Sequence, residues 1–400
     1  METDRLPFTQ LLSQIIDNRG RTCPVADEGI PLIATNCIVN DRLFPVHQKV
    51  RFVSEHTYRT WFRGHPEPGD IIFVCKGSPG NVAIAPDPVG FCIAQDMVAV
   101  RADDTAVYPR FLFAALRSAD VRAQIATLHV GTLIPHFKKG DFDKLLIPVP
   151  ARSHQRFIGD LYFEMSAKIE MNRRCAALLH ELLQASWKLV AAGISPVKVG
   201  KLIELEKGVS YKGDQLGSGP PLVNLANFGT DGRFNHKGLK RYAGDVRERH
   251  WVRRNDLVIA NTDLTQRREI LGQPAFVEVD EERALYSHHV YAVRPKSGQD
   301  CLLWLYAAFR DRSFRNRAMT FASGTTVTAL PRDAVLTYDV PWPADDIRTA
   351  WQGEARRYLS AATAFDRESR IIATLRDTLL PKLLSGELQV RDPADRDATV

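Results

Sequence analysis

Two loops in this 400-residue sequence carry side chains able to hold phosphates and read base edges. The first, "CKGSPGN" at 75–81, follows an apolar run. Lys76 supplies a cation, the backbone around Gly77 and Ser78 offers amides to phosphate oxygens, and Asn81 has the amide that matches adenine. An ordinary polar β-turn would choose the same Gly and Pro residues, and both readings stay open. The second loop, "NTDLTQRRE" at 261–269, carries Gln266, Arg267 and Arg268, donors suited to adenine or guanine. Paired arginines in a loop are poorly explained by folding, although a solvated salt-bridge surface also uses them. Lys138 and Lys139, and Arg332 further along, add cations within reach of phosphates, with a solvated charge pair as the plainer reading. His136 stands alone and reads as structural. His288 and His289 are adjacent in a β-like run, which would turn them to opposite faces and prevent a shared metal.

Catalytic patterns are missing from the chain. There is no Asn/Asp-Pro-Pro-aromatic tetrapeptide for amino-group methylation and no G-x-S-x-G or H-E-x-x-H, and Gly200-Lys201 runs on into Leu202 without a phosphate loop. An apolar fraction of 44% with 25% charged residues describes a folded protein, and the length exceeds one hydrophobic core. The formal charge of +6 is uneven: residues 1–150 hold 16 basic against 16 acidic side chains, and 198–345 hold 22 against 18. Such a bias permits a nucleic-acid partner without requiring one. Six scattered cysteines without a C-x-x-C pair argue for reduced, buried thiols and against zinc. The opening "METDRLPFTQ" has no apolar core of a leader and no stretch nears 18 apolar residues, so a cytoplasmic, non-membrane chain is expected.

The elements that must position these loops come in two copies. "GTLIPHFKKGDFDKLLIPVP" from Gly131 and "GTTVTALPRDAVLTYDVPWP" from Gly324 share Gly-Thr and a closing Pro-x-Pro at an offset of 193 residues. Upstream, "YPRFLFAALRSADVRAQIATLHV" and "CLLWLYAAFRDRSFRNRAMTFAS" keep that offset and read as one amphipathic helix each. Further upstream "GDIIFVCKGSPGNVAI" faces "NDLVIANTDLTQRREILGQPAFV", and "GIPLIATNCI" faces "GPPLVNLANF". After each Pro-x-Pro the pattern turns to continuous helix. Ile158, Leu161, Met165, Ile169, Asn172, Leu179 and Leu183 follow three- and four-residue steps, broken in character only by Gly159; Phe365, Ile372, Leu375 and Leu379 do the same. Asn172, polar on an apolar seam, would specify register or partner.

The expected fold is therefore a duplicated α/β (α+β) chain. Globular segments at 1–150 and 198–343 alternate with helices at 151–197 and 344–390, and 391–400 forms a frayed tail. Neither helix can bury its stripe alone. An antiparallel coiled coil between them would mimic a two-fold dimer inside one chain and hold the globular segments at opposite ends of a rod.

The Gly131–Pro150 motif, the helix "HQRFIGDLYFEMSAKIEMNRRCAALLHELLQASWKLV" with its Ile-Glu-x-Asn-Arg-Arg segment at 169–174, and the closing "LLPKLLSGELQV" resemble specificity subunits of type I restriction–modification systems. The resemblance spans the chain in the order target recognition domain, helix, target recognition domain, helix. The second copy departs from it. Val327-Thr328-Ala329 stands where the first has Ile134-Pro135-His136, and "PADDIRTAWQGEARRYL" replaces the helix start of which the first copy keeps His154-Gln155. The resemblance implies a non-catalytic DNA reader for an asymmetric bipartite site. It also implies two docked methyltransferase subunits using S-adenosylmethionine, and through them restriction–translocation subunits using ATP and Mg, with no cofactor on this chain. A related phage-defence role and a coiled-coil protein scaffold are the competing readings.

Overall fold

The computed structural model describes residues 4–18, 22–128, 135–265, 267–296, 300–324 and 327–388. Its helices are α1 (Glu55–Thr60), α2 (Pro109–Leu116), α3 (Ala119–Leu128), α4 (Arg152–Ala191), α5 (Leu302–Arg310), α6 (Arg312–Phe321), α7 (Arg332–Leu336) and α8 (Asp345–Leu384). The chain divides into two compact units, one of residues 1–175 with 365–400 and one of residues 176–364, so each boundary falls inside a long helix rather than at its end. Among the described residues no helix is long and apolar enough to cross a membrane.

The first unit is built on a four-stranded antiparallel sheet in the order Leu12–Ile16, Met97–Ala102, Ile71–Val74, Val82–Ile84. A three-stranded sheet, Arg51–Val53, Ile30–Ile33 and Cys92–Ile93, lies beside it, its last pair parallel. The run Ile71-Ile72-Phe73-Val74 is buried on both faces, as a central strand should be. Ile71 and Phe73 enter a core with α2, Phe8, Phe137 and Phe142, whereas Ile72 and Val74 enter another with Ile33 and Phe91. Strand Asp4–Pro7 pairs antiparallel with Leu146–Val149, so the Pro-x-Pro segment closes the unit against the strand that opens it.

The second unit repeats this order residue for residue in its main sheet: Ile203–Lys207, Val290–Pro295, Leu257–Ala260, Pro274–Phe276. Leu257 and Ile259 face one core, Val258 and Ala260 the other. Pro196–Lys198 pairs with Asp339–Pro341 as the matching closure. The expected single helix upstream of each motif is instead two. Ser118 and Asp311, equivalent at the 193 offset, cap α3 and α6 by accepting the amides of Val121 and Ser313, which ends the preceding helix. Four of the six cysteines are buried and all are free thiols.

In the first unit α4 and α8 run antiparallel. Asn172 Nδ2 donates to Glu368 at 2.7 Å, Lys168 pairs with the same carboxylate at 3.1 Å, and Arg376 donates to Ser166 Oγ at 3.1 Å. Ile158, Tyr162, Ser166, Ile169 and Asn172 form the buried stripe here; Ala176, His180, Leu183, Trp187 and Ala191 form it in the second unit. Leu161, Met165 and Leu179, expected on the seam, are half-buried flanks of it. On α8, Phe365, Ile372 and Leu379 are also half-buried, but Leu375 is 46% exposed and off the seam. Arg376 takes that place, its stem buried and its guanidinium 5.1 Å over the Tyr162 ring, so apolarity alone selects the wrong neighbour.

Candidate nucleic-acid interface

The Ile-Glu-x-Asn-Arg-Arg segment ties α4 to the loop at residues 41–43 of the first unit. Glu170 accepts from Arg42 Nε and Nη2 at 2.9 and 2.8 Å and from the Leu43 amide at 3.0 Å, while Arg173 Nη1 donates to the Asp41 carbonyl at 2.7 Å. Burial alone would raise the Glu170 carboxyl. The Arg42 guanidinium and the Leu43 amide outweigh it and hold the group below its ordinary value. Helix starts are tied similarly. Gln155 donates to the Pro150 carbonyl at 2.7 Å and accepts the Tyr108 amide at 2.8 Å. In the second copy Arg348 stands at the Gln155 position and donates to the Pro343 carbonyl at 3.3 Å, so a different residue type keeps the tie.

The loop at 75–81 does not cradle a phosphate with its amides. Those of Lys76, Gly77, Gly80 and Asn81 donate to the carbonyls of Asp96, Pro135, Val74 and Ser78, and Asn81 Nδ2 donates to the Ile38 carbonyl at 3.2 Å. Asn81 is a half-buried anchor rather than a base-reading amide. Gly77 and Gly80 have φ of +87° and +80°, which a tight turn of this kind requires. Lys76 and Ser78 stay exposed. Lys76 bridges to His136, and Phe137 donates to the Cys75 carbonyl at 2.8 Å. This brings the Lys76 loop beside exposed Lys138, while Lys139 is held by Asp17 at 3.4 Å. Gly131 and Thr132 of the motif lie outside the described residues, as do Gln266 and Thr325.

The second unit builds the equivalent place with a strand pair, Thr262–Asp263 against Thr328–Ala329, in which Thr262 meets Ala329. Asp263, 1% exposed, accepts the amides of Thr265 and Ile270 at 2.7 and 2.8 Å and the Thr265 hydroxyl. Arg268 has φ of +52°. Arg267, its side chain 62% exposed, reaches Glu269 only at 3.9 Å. Arg332 opens α7 with its guanidinium 5.9 Å from the Tyr291 ring centroid. Arg315 grips the loop from behind, donating to the carbonyls of Leu271 and, at 2.9 Å, Glu269. Arg315→Ala should therefore free a loop it does not extend. The expected result is weaker DNA binding by about tenfold, with loss of about 1–3 kcal/mol in stability, read by duplex titration and thermal melting.

One cluster escaped the sequence reading. His288 and His289 sit in a turn, not a strand, and their rings lie 3.8 Å apart by centroid, so they share a face instead of opposing ones. His289 Nδ1 bonds Thr262 Oγ1 at 2.8 Å, and His288 packs 6.1 Å from the Tyr211 ring, which carries Lys240 at 5.2 Å. Burial, then His288, Lys207 and Lys240, push the His289 imidazole down to about 4. The signal in the sequence was the interruption of apolar alternation at Ser287-His288-His289. Among the described residues no group of three or more His, Cys, Asp or Glu could hold a metal ion.

Residues 27–179 match the family model of the type I restriction modification DNA specificity domain. The S subunit of a type I restriction–modification system from M. genitalium superposes with a TM-score of 0.54 at 15% identity, covering 96% of each chain. The HsdS subunit of Thermoanaerobacter tengcongensis gives a TM-score of 0.33 at 18% identity, covering 97% of this chain and 95% of that one. No curated protein sequence matches significantly. Residues 27–179 are thus similar to the type I restriction modification DNA specificity domain, and the chain as a whole shares the fold of the M. genitalium S subunit.

Proposed function

We propose that the two units are separate readers of one asymmetric, bipartite DNA site, and that the long helices dock methyltransferase subunits and through them restriction subunits. The observation that carries this reading is that equivalent positions hold unlike side chains: the first unit bridges Lys76 to His136 where the second pairs Thr262 with Ala329. One scaffold holding two residue sets reads two half-sites. Exposed apolar side chains on the helices support docking. Leu178, Leu182 and Leu189 recur on α4 in the second unit, Leu189 with 81% of its surface exposed, and Met171 and Ile371 lie uncovered in the first. The chain itself would need no cofactor; S-adenosylmethionine, ATP and Mg would belong to its partners.

Expression with a partner methyltransferase, followed by mapping of methylated adenines across the host genome, tests this reading. The expected motif is gapped, with two different half-sites. A continuous palindrome, or no motif from an active complex, excludes it. Duplex affinity that does not fall with salt would favour the protein-scaffold reading instead.

A further inference from the structure

Three positions at the rim of each unit can be matched by backbone pairing alone. Ile16 pairs with Ala99 as Glu206 pairs with Ala292, which makes the next residues, Asp17 and Lys207, equivalent. The Cys75 amide donates to the Asp96 carbonyl as the Asn261 amide donates to that of His289, which makes Asp96 and His289 equivalent. Lys139 and Arg332 open matching short helices. The first unit therefore places Asp17, Asp96 and Lys139 where the second places Lys207, His289 and Arg332. Two carboxylates that would repel a phosphate are replaced by a cation and an imidazole.

Around the second set the side chains are organised further. Lys240 Nζ donates to Tyr211 Oη at 3.2 Å, Tyr211 abuts His288, and the His288 ring lies tilted against that of His289, which is tied to Thr262 at the base of the 261–269 loop. Lys207 is exposed, and His288 Nδ1 is buried without a hydrogen-bond partner in the protein. Folding supplies little reason to gather two lysines around a pair of touching imidazoles, because each cation disfavours protonation of its neighbours. A polyanion reverses that balance: lysines take phosphates, and neutral imidazole edges donate to or accept from bases.

We propose that Lys207, Tyr211, Lys240, His288 and His289 form a duplex-contacting surface of the second unit, the lysines binding backbone phosphates; of the positions matched above, the first unit has carboxylates where this surface has Lys207 and His289. This rests on the DNA-reading function proposed above. The test is titration of a mixed-sequence DNA duplex with the full chain at several salt concentrations. Lys207→Ala with Lys240→Ala should lower the slope of log affinity against log salt by about 1–2 and weaken binding uniformly across sequences. If the double variant melts early, Lys207→Gln alone, at an exposed position, should still lower the slope by about 1. Wild-type binding that depends on salt, with an unchanged slope in the folded variants, overturns this surface while leaving the DNA-reading function intact. Absence of salt-dependent binding by the wild type overturns both.

Discussion

Gly159→Val should unfold the first unit, or destabilise it by about 3 kcal/mol or more. A Cβ at this position would lie 2.5 Å from the Phe111 amide nitrogen, 2.8 Å from the Arg110 carbonyl carbon and 3.0 Å from the Phe111 Cα. All three are backbone atoms, at the start of α2, where no side chain can rotate away. The glycine exists because α4 crosses α2 in direct backbone contact. A helical glycine ordinarily costs about 1 kcal/mol relative to alanine, and here that cost is outweighed by a close approach no other residue permits. Gly353 on α8 is the control: nothing lies within 4 Å of its added Cβ. Gly353→Ala should raise stability by about 0.5–1 kcal/mol. Chemical denaturation of both variants checks the pair. Equal and small effects would contradict the crossing geometry.

Trp304→Ala should be the most damaging truncation in the second unit. Trp304 is fully buried, donates Nε1–H to the Pro341 carbonyl at 2.7 Å, and packs its ring 5.8 Å from Trp187 on α4 and 5.1 Å from Trp351 on α8. Trp351 in turn donates to Ser186 Oγ at 3.0 Å. Removing the indole opens a cavity among both helices and α5, and leaves the closing strand's carbonyl without its donor. The expected loss is about 3–5 kcal/mol, a fall of about 10 °C in the melting temperature of this unit. Hydrogen exchange should localise the loosening to residues 176–364, with the sheet of the first unit still protected. A melting temperature within about 2 °C of wild type would refute the assignment of this triad as the unit's keystone.

The duplication was legible because it rests on patterns that survive divergence. Alternating apolar strands, two paired loops and a Pro-x-Pro exit keep their order even where residues and loop lengths change. The helices were legible for the same reason, and α4 spans 40 residues where its pattern indicated a long helix. What stayed hidden depends on contacts across the fold. Arg376 looks like a surface cation beside Leu375, yet Tyr162 and Ser166 give it a buried place and the leucine faces outward. Asn81 has the right side chain for a base edge, but the Ile38 carbonyl claims it. Lys207 and Tyr211 lie about 30 residues from Lys240 and about 80 from His288 in the chain, and only the strand register gathers the three segments. Arg348 in place of Gln155 shows the converse: a substitution that breaks the motif in sequence preserves the bond in space.

The division inside the long helices fixes an order of events during translation. Residues 176–364 are contiguous, so the second unit is complete once α8 has emerged only as far as Ala364. The first unit, although begun first, waits for residues beyond Phe365: until Arg376 and Leu380 arrive, the stripe of Ile158, Tyr162 and Ile169 lacks its cover from α8. The first unit is therefore completed after the second. A stop codon shortly after position 364 would spare the second unit, nearest to it, and cripple the first, more distant one.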